Sequence, residues 1–216
     1  VPISSCNQYA LALHTSSSQL GLSLSNFADF NRTQTWNLDR ELSTYLHQYL
    51  VEFLAPLTWK DLDFIAVAKG PGSFTSTRIG VVTARTLAQQ LDIPVFAISS
   101  LAALAWSSIF HPQAKQELNS DNPLVALQMN ATRGQLYGGI YQISVQKSEL
   151  MAVLPDTIAL SETWQKTLEK LEIPYQLIVA PTELGVTANS LLELAYQDWY
   201  AGKRPHWSEA LPFYGL

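Results

Sequence analysis

The stretch Lys69-Gly70-Pro71-Gly72-Ser73-Phe74-Thr75-Ser76-Thr77-Arg78-Ile79-Gly80 organises the chain. The apolar run Phe64-Ile65-Ala66-Val67-Ala68 leads into it and reads as a buried strand. The small-residue segment Val81 to Leu91 leads out of it and reads as a helix. Strand, glycine-rich turn and helix together point backbone N–H groups at an anion. The same layout is also a tight way to turn a chain. The spacing does not meet the phosphate-loop pattern, because no lysine follows a later glycine. It does not meet the dinucleotide pattern either, since Thr75 stands where the third glycine belongs. With no nucleotide pattern met, Thr15, Gly70, Gly72, Ser73 and Thr75 stay candidate anion or nucleotide contacts by the layout alone, and Ser73 or Thr75 is a candidate helix cap.

At 100° per residue, Gly80, Val81, Ala84, Leu87, Ala88 and Leu91 share one face of the helix, small enough to pack closely on a sheet. The other side carries Arg78, Ile79, Val82, Arg85, Thr86 and Gln89. This second, mixed apolar and basic face suits either a partner or the helix expected over residues 39–54. That helix has the clearest period in the chain, with Leu42, Tyr45, Leu46, Tyr49, Leu50, Phe53 and Leu54 at helical spacing. Asn37 or Asp39 can cap it, and Pro56 ends it.

Upstream, Tyr9 to Leu13 and Leu20 to Ser25 read as a hairpin, with Thr35-Trp36 in a third strand. Downstream, Val95 to Ile98 reads as a strand and Ser99 or Ser100 as the cap of a helix through Ile109. The polar segment from His111 to Asn122 is a loop and the candidate subdomain boundary, dividing the chain into 1–110 and 111–216. Leu124 to Met129 and Gln135 to Val145 then form paired strands, Ser161 opens a helix, Gln176 to Ala180 is a strand and Thr187 to Ala201 a helix. Both halves read as a hairpin followed by helix and strand segments, a duplicated α/β unit.

Composition narrows the function. Of 216 residues, 47% are hydrophobic and only 14% charged, so some apolar surface is expected to lie under a partner. The net charge of −5 argues against a chain that binds nucleic acid by its overall field. The single cysteine, Cys6, leaves no internal disulfide and fits a reducing compartment. No apolar run reaches the roughly 18–20 residues of a membrane span. Val1 to Gln8 lacks the features of a signal peptide, so a cytoplasmic protein is expected. The histidines His14, His47, His111 and His206 stand in no metal-binding spacing, and Ser16 to Ser18 sit in a turn rather than a nucleophile elbow. No reaction centre or metal site is expected.

Leu11-Ala12-Leu13-His14-Thr15-Ser16, Asp63-Phe64-Ile65-Ala66-Val67 and the stretch from Lys69 to Gly80 together resemble the TsaB (YeaZ) family. Arg133-Gly134-Gln135-Leu136-Tyr137 is similar to that family's R-G-E-V-Y segment, and Leu211-Pro212-Phe213-Tyr214 to its closing P-x-Y element. The resemblance implies an actin-like, sugar-kinase-like α/β fold of two related subdomains. It implies a non-catalytic subunit in tRNA threonylcarbamoyladenosine synthesis, paired with a TsaD-type catalytic paralogue, joined by a TsaE-type ATPase, and a homodimer when alone. It implies that tRNA is met only through the complex, and that ATP and Mg²⁺ are used by the complex with no cofactor held by this chain. Pairing is expected through the helices at 39–54 and 75–91, which offer Leu42, Tyr45, Leu46, Tyr49, Arg78, Ile79, Val82, Arg85 and Thr86. The family pattern commonly has Asp where this chain has His14, Gly at Ser76 and Asp at Asn130. In ATP-using relatives of the fold that first Asp helps hold metal and phosphates. A small-molecule kinase or ATPase of the same fold, or a peptidase-like protein, are the alternative readings.

Overall fold

The computed structural model describes residues 8–111 and 122–215. Cys6, nearly all of the expected boundary loop and Leu216 lie outside them. The first half holds β1 (Tyr9–His14), β2 (Gln19–Ser25), β3 (Asn31–Asn37), α1 (Leu42–Leu54), β4 (Leu62–Ala68), α2 (Phe74–Leu91), β5 (Val95–Ile98) and α3 (Ser100–Phe110). The second holds β6 (Leu124–Asn130), β7 (Gln135–Ser144), β8 (Glu149–Leu160), α4 (Ser161–Glu169), β9 (Tyr175–Val179) and α5 (Ala188–Tyr200). Two mixed sheets result, ordered β3-β2-β1-β4-β5 and β8-β7-β6-β9. In each, a hairpin supplies antiparallel strands and a helix crossover returns a parallel one. This is the α/β class the family resemblance implied, with the hairpin-helix-strand plan used twice.

Alternation on β1 and β4 builds two cores. Leu11, Leu13, Ile65 and Val67 face α1 and α2. Ala10, Ala12, Phe64 and Ala66 face α5, whose Leu191, Leu192 and Ala195 press on them. Packing thus crosses the division at 110/111. α5 lies on the first sheet, while Leu101, Ala105 and Ile109 of α3 pack on Val125, Leu127 and Tyr141 of the second. On the far side of that sheet, α4 seats Trp164 and Leu168 against Ala126, Leu136 and Ile140.

Several local expectations change. The helix at 39–54 begins as a 3-10 turn, Asp39–Glu41, and neither Asn37 nor Asp39 caps α1: its N-cap position is Glu41, with no side-chain cap bond. Ser73, not Thr75, caps α2, and Ser99 caps α3 by accepting from Leu101 and Ala102 N–H. β8 has no counterpart in the sequence reading. Its 12 residues include Pro155, which ordinarily argues against a strand. β8 is an edge strand, though, and its pairing to β7 is interrupted by register shifts, so a missing N–H is tolerated.

Candidate partner-binding face

The glycine stretch is tied to distant segments of the chain at Ser16, Ser100 and Phe213. Gly70 has φ +93°, a backbone conformation that favours glycine, and its carbonyl accepts from Ser100 N–H at 2.9 Å. Lys69 C=O accepts from Phe213 N–H at 2.7 Å, which fastens the C-terminal segment over the turn. Ser73 N–H donates to Ser16 C=O at 2.8 Å, and Ser16 Oγ lies 2.6 Å from Ser100 Oγ. Gly72 passes so close to Ser16 that an added Cβ would sit 2.0 Å from its carbonyl oxygen.

Thr15 is fully buried beneath α2. A Cβ on Gly80 would fall 2.0 Å from Thr15 Oγ1, so the glycine is what lets the helix settle onto the end of β1. His14 is also fully buried, and neither ring nitrogen has a hydrogen-bond partner. Burial holds it neutral, with its pKa pushed down to about 3. A neutral, enclosed imidazole cannot supply the negative charge that Mg²⁺ with a phosphate requires. The residues present at this strand end do not fit ATP and Mg²⁺. Of the candidate anion contacts, Thr15 and Gly70 are buried, Gly72 is a close backbone crossing, and Ser73 is the helix cap. Thr75 is exposed and faces elsewhere, as follows. Among the described residues, no three of His, Cys, Asp and Glu gather as a metal-holding group.

The outer side of α2 is open. Val82 is 59% exposed and Phe74 61% exposed, each one helical turn from Arg78 in the series 74, 78, 82. Arg78 lies over the Phe74 ring at 5.1 Å, and Tyr214 of the C-terminal segment adds a second exposed ring 5.8 Å from Phe74. Thr75, Arg78, Ile79, Val82 and Thr83 line a shallow groove of about 380 Å³. Ile79 is half-buried against the core, Arg85 lies over Trp207 at 5.8 Å, and Thr86 is exposed.

α1 contributes less to this surface than its sequence implied. Leu42 and Leu46 are buried in the first-half core and cannot meet a partner. The physical reason is that a helix on a sheet buries its most apolar stripe, and Leu42, Leu46 and Leu50 are that stripe. Tyr49 is half-buried and stacked on Trp36 at 4.7 Å. Tyr45, on the next stripe round, stays exposed, as does Val51. The sequence reading missed Phe74 and Tyr214. Phe74 was findable: it is four residues before Arg78 on the same stripe, and α2 starts there rather than at Thr75. Tyr214 follows Phe213, whose N–H is bonded to Lys69 C=O, a long-range contact without a local pattern.

Comparison with known proteins agrees with this architecture. The family model for TsaD, tRNA N6-adenosine threonylcarbamoyltransferase, matches residues 40–206. The tRNA threonylcarbamoyladenosine biosynthesis protein TsaB of Bacillus subtilis is 38% identical over 125 residues, 58% of this chain and 49% of that protein. The TsaB of Buchnera aphidicola subsp. Schizaphis graminum is 39% identical over 87 residues, 40% of this chain and 38% of that protein. The chain spans about half the length of the curated relatives it matches. YeaZ from Pseudomonas aeruginosa superposes with a TM-score of 0.76 at 24% identity, covering 96% of this chain and 99% of that one, which shows the shared fold. Two sheets built on one repeated plan, the family model across most of the chain and the TsaB relatives agree: the chain belongs to the TsaD family and, within it, to the TsaB (YeaZ) group.

Proposed function

We propose that the chain is a non-catalytic subunit in tRNA threonylcarbamoyladenosine synthesis. It pairs with a TsaD-type catalytic paralogue through the outer side of α2 and the exposed edge of α1. The observation that carries this reading is the contrast on α2. The face toward the sheet is closed on Thr15, while Phe74, Arg78 and Val82 form an open apolar and basic stripe beside a groove. Tyr45, Ile79, Arg85 and Thr86 flank it. In water such a stripe gains from being covered. In the absence of the paralogue the same stripe serves a homodimer, and a TsaE-type ATPase joins the heteromeric pair. ATP and Mg²⁺ act elsewhere in the complex, and tRNA is met through the assembly rather than by this chain alone.

The kinase or ATPase reading draws no support from the buried, neutral His14, and the Gly70 carbonyl and Ser73 N–H of the glycine stretch are already bonded to Ser100 and Ser16. A peptidase reading lacks a metal-holding group among the described residues. No helix among those residues is long and apolar enough to cross a membrane, in keeping with a complex that acts on tRNA in the cytoplasm. The test is co-purification with a TsaD-type protein, followed by tRNA modification assays with and without this chain. Modification that needs the chain, with no ATP hydrolysis by the chain alone, supports the proposal. Modification at full rate without it overturns the proposal.

A further inference from the structure

A second surface lies at the free edge of the first sheet, apart from the α2 stripe. β5 ends that sheet, bonded on one side only to β4. Pro94 C=O accepts from Ile65 N–H and Ile98 C=O from Lys69 N–H, so the backbone groups of 94 and 98 face β4. By the alternation of a strand, those of Val95 and Ala97 face outward. Val95 N–H is met there by Pro205 C=O at 3.4 Å. The chain's own C-terminal segment therefore begins to bond this edge and then turns away over α2, where Trp207 packs on the core.

Beyond that first bond a groove of about 660 Å³ follows β5. One wall is the end of α5 with Lys203 and Arg204; the other is Ala210 and Leu211 of the returning segment. Its lining carries three cations, Lys69, Lys203 and Arg204, against two carboxylates, Asp198 and Glu209, a surplus of one positive charge. Asp198 is paired with Lys203 at 2.7 Å, and Glu209 Oε1 accepts from His206 N–H at 3.0 Å. Arg204 lies 3.3 Å over the Trp199 ring and donates to the Trp199 and Lys203 carbonyls, which fixes it without an ionic partner. Among the described residues neither Arg204 nor Lys69, at the inner end, forms an ion pair. Asp63 and Asp156 feel their charges only at a distance.

We propose that this groove takes an extended acidic segment of another protein chain, added as a strand along β5. The outward N–H and C=O of Ala97 pair with its backbone, the Ala210 and Leu211 wall takes its apolar side chains, and Lys69 and Arg204 take its carboxylates. Four residues of β5 and the groove's size suit a segment of about four to five residues. This surface goes beyond the α2 pairing face, and its test uses the chain alone, so the two readings fail separately.

The probe is a fluorescently labelled five-residue peptide alternating valine with aspartate, titrated with the purified chain and followed by anisotropy. Saturable binding is expected. The same peptide with lysine in place of aspartate, or with alternate backbone amides methylated, is expected to bind at least about tenfold more weakly. Arg204→Glu is expected to weaken the acidic peptide by a similar factor, and Lys69→Gln by less, with each variant's folding checked by circular dichroism. No saturable binding up to about 1 mM, or equal affinity for the acidic, basic and methylated peptides, overturns the proposal without recourse to any variant.

Discussion

The glycine turn and the outer face of α2 are neighbours in sequence and opposites in structure. In the turn, Gly70, Gly72 and Ser73 look like a ligand loop, yet the Lys69 and Gly70 carbonyls accept from Phe213 and Ser100 N–H, Ser73 N–H donates to Ser16 C=O, and Gly72 crosses close to Ser16. One turn further on, Phe74, Arg78 and Val82 carry no motif at all, yet they are the side chains left open. The difference teaches where to look for function. Bonds of this kind give the motif a structural use, whatever it resembles. Surface that a monomer leaves apolar without internal use is the better guide to a partner.

The largest effect expected from perturbing this contrast lies on the closed side. Gly80→Val places branched carbons where Thr15 Oγ1 stands 2.0 Å from the first of them. Overpacking of this kind is expected to cost about 3 kcal/mol, read by urea denaturation. A cost under about 1 kcal/mol would mean that α2 and β1 are not locked together.

Acid sensitivity comes next. His14 is neutral in the folded chain, with its pKa lowered to about 3 by burial, while an unburied histidine titrates near 6.5. A depressed histidine contributes stability above the unfolded pKa and loses it as pH falls. Unfolding should therefore become easier by about 1.4 kcal/mol per pH unit from near pH 6.5 downward. The stability–pH profile of His14→Asn, compared with the parent chain, isolates this slope, because asparagine does not titrate. Parallel profiles would place His14 in contact with water and reopen the strand end as a ligand site.

A smaller change is expected at the cap. Ser73 Oγ accepts from Ser76 N–H at a long 3.5 Å, so Ser73→Ala should cost about 0.5–1 kcal/mol. Thermal melts measure it. A loss several times larger would assign Ser73 a role beyond the cap.

Much of this was legible in the residues. The alternation of Leu11 to Leu13, the period of α1 and the run from Val81 to Leu91 follow from local chemistry, and structure bears them out. What was not legible depends on contacts far apart in sequence. Leu42 and Leu46 share a helical period with Tyr45 and Tyr49, and only the position of the sheet decides which stripe is buried. Thr15 beneath Gly80, Gly70 bonded to Ser100 and Phe213 over Lys69 have no local signal. β8 was hidden by Pro155 and by a break in register that only pairing with β7 explains. The candidate contacts on the glycine turn were thus well placed in the fold, but their internal bonds had no local signal.

The measurement closest to the central claim is pairing by Val82→Glu. At 59% exposed, Val82 touches little of its own chain, so the variant is expected to keep its stability within about 0.5 kcal/mol. Ile79→Glu is the less clean test, since Ile79 is half-buried against the core. Light scattering of the purified variant, alone and mixed with a TsaD-type protein, reads the result. The account predicts a folded monomer that no longer pairs, because a carboxylate would be buried without a partner in the interface. A folded Val82→Glu chain that pairs as tightly as the parent would contradict it.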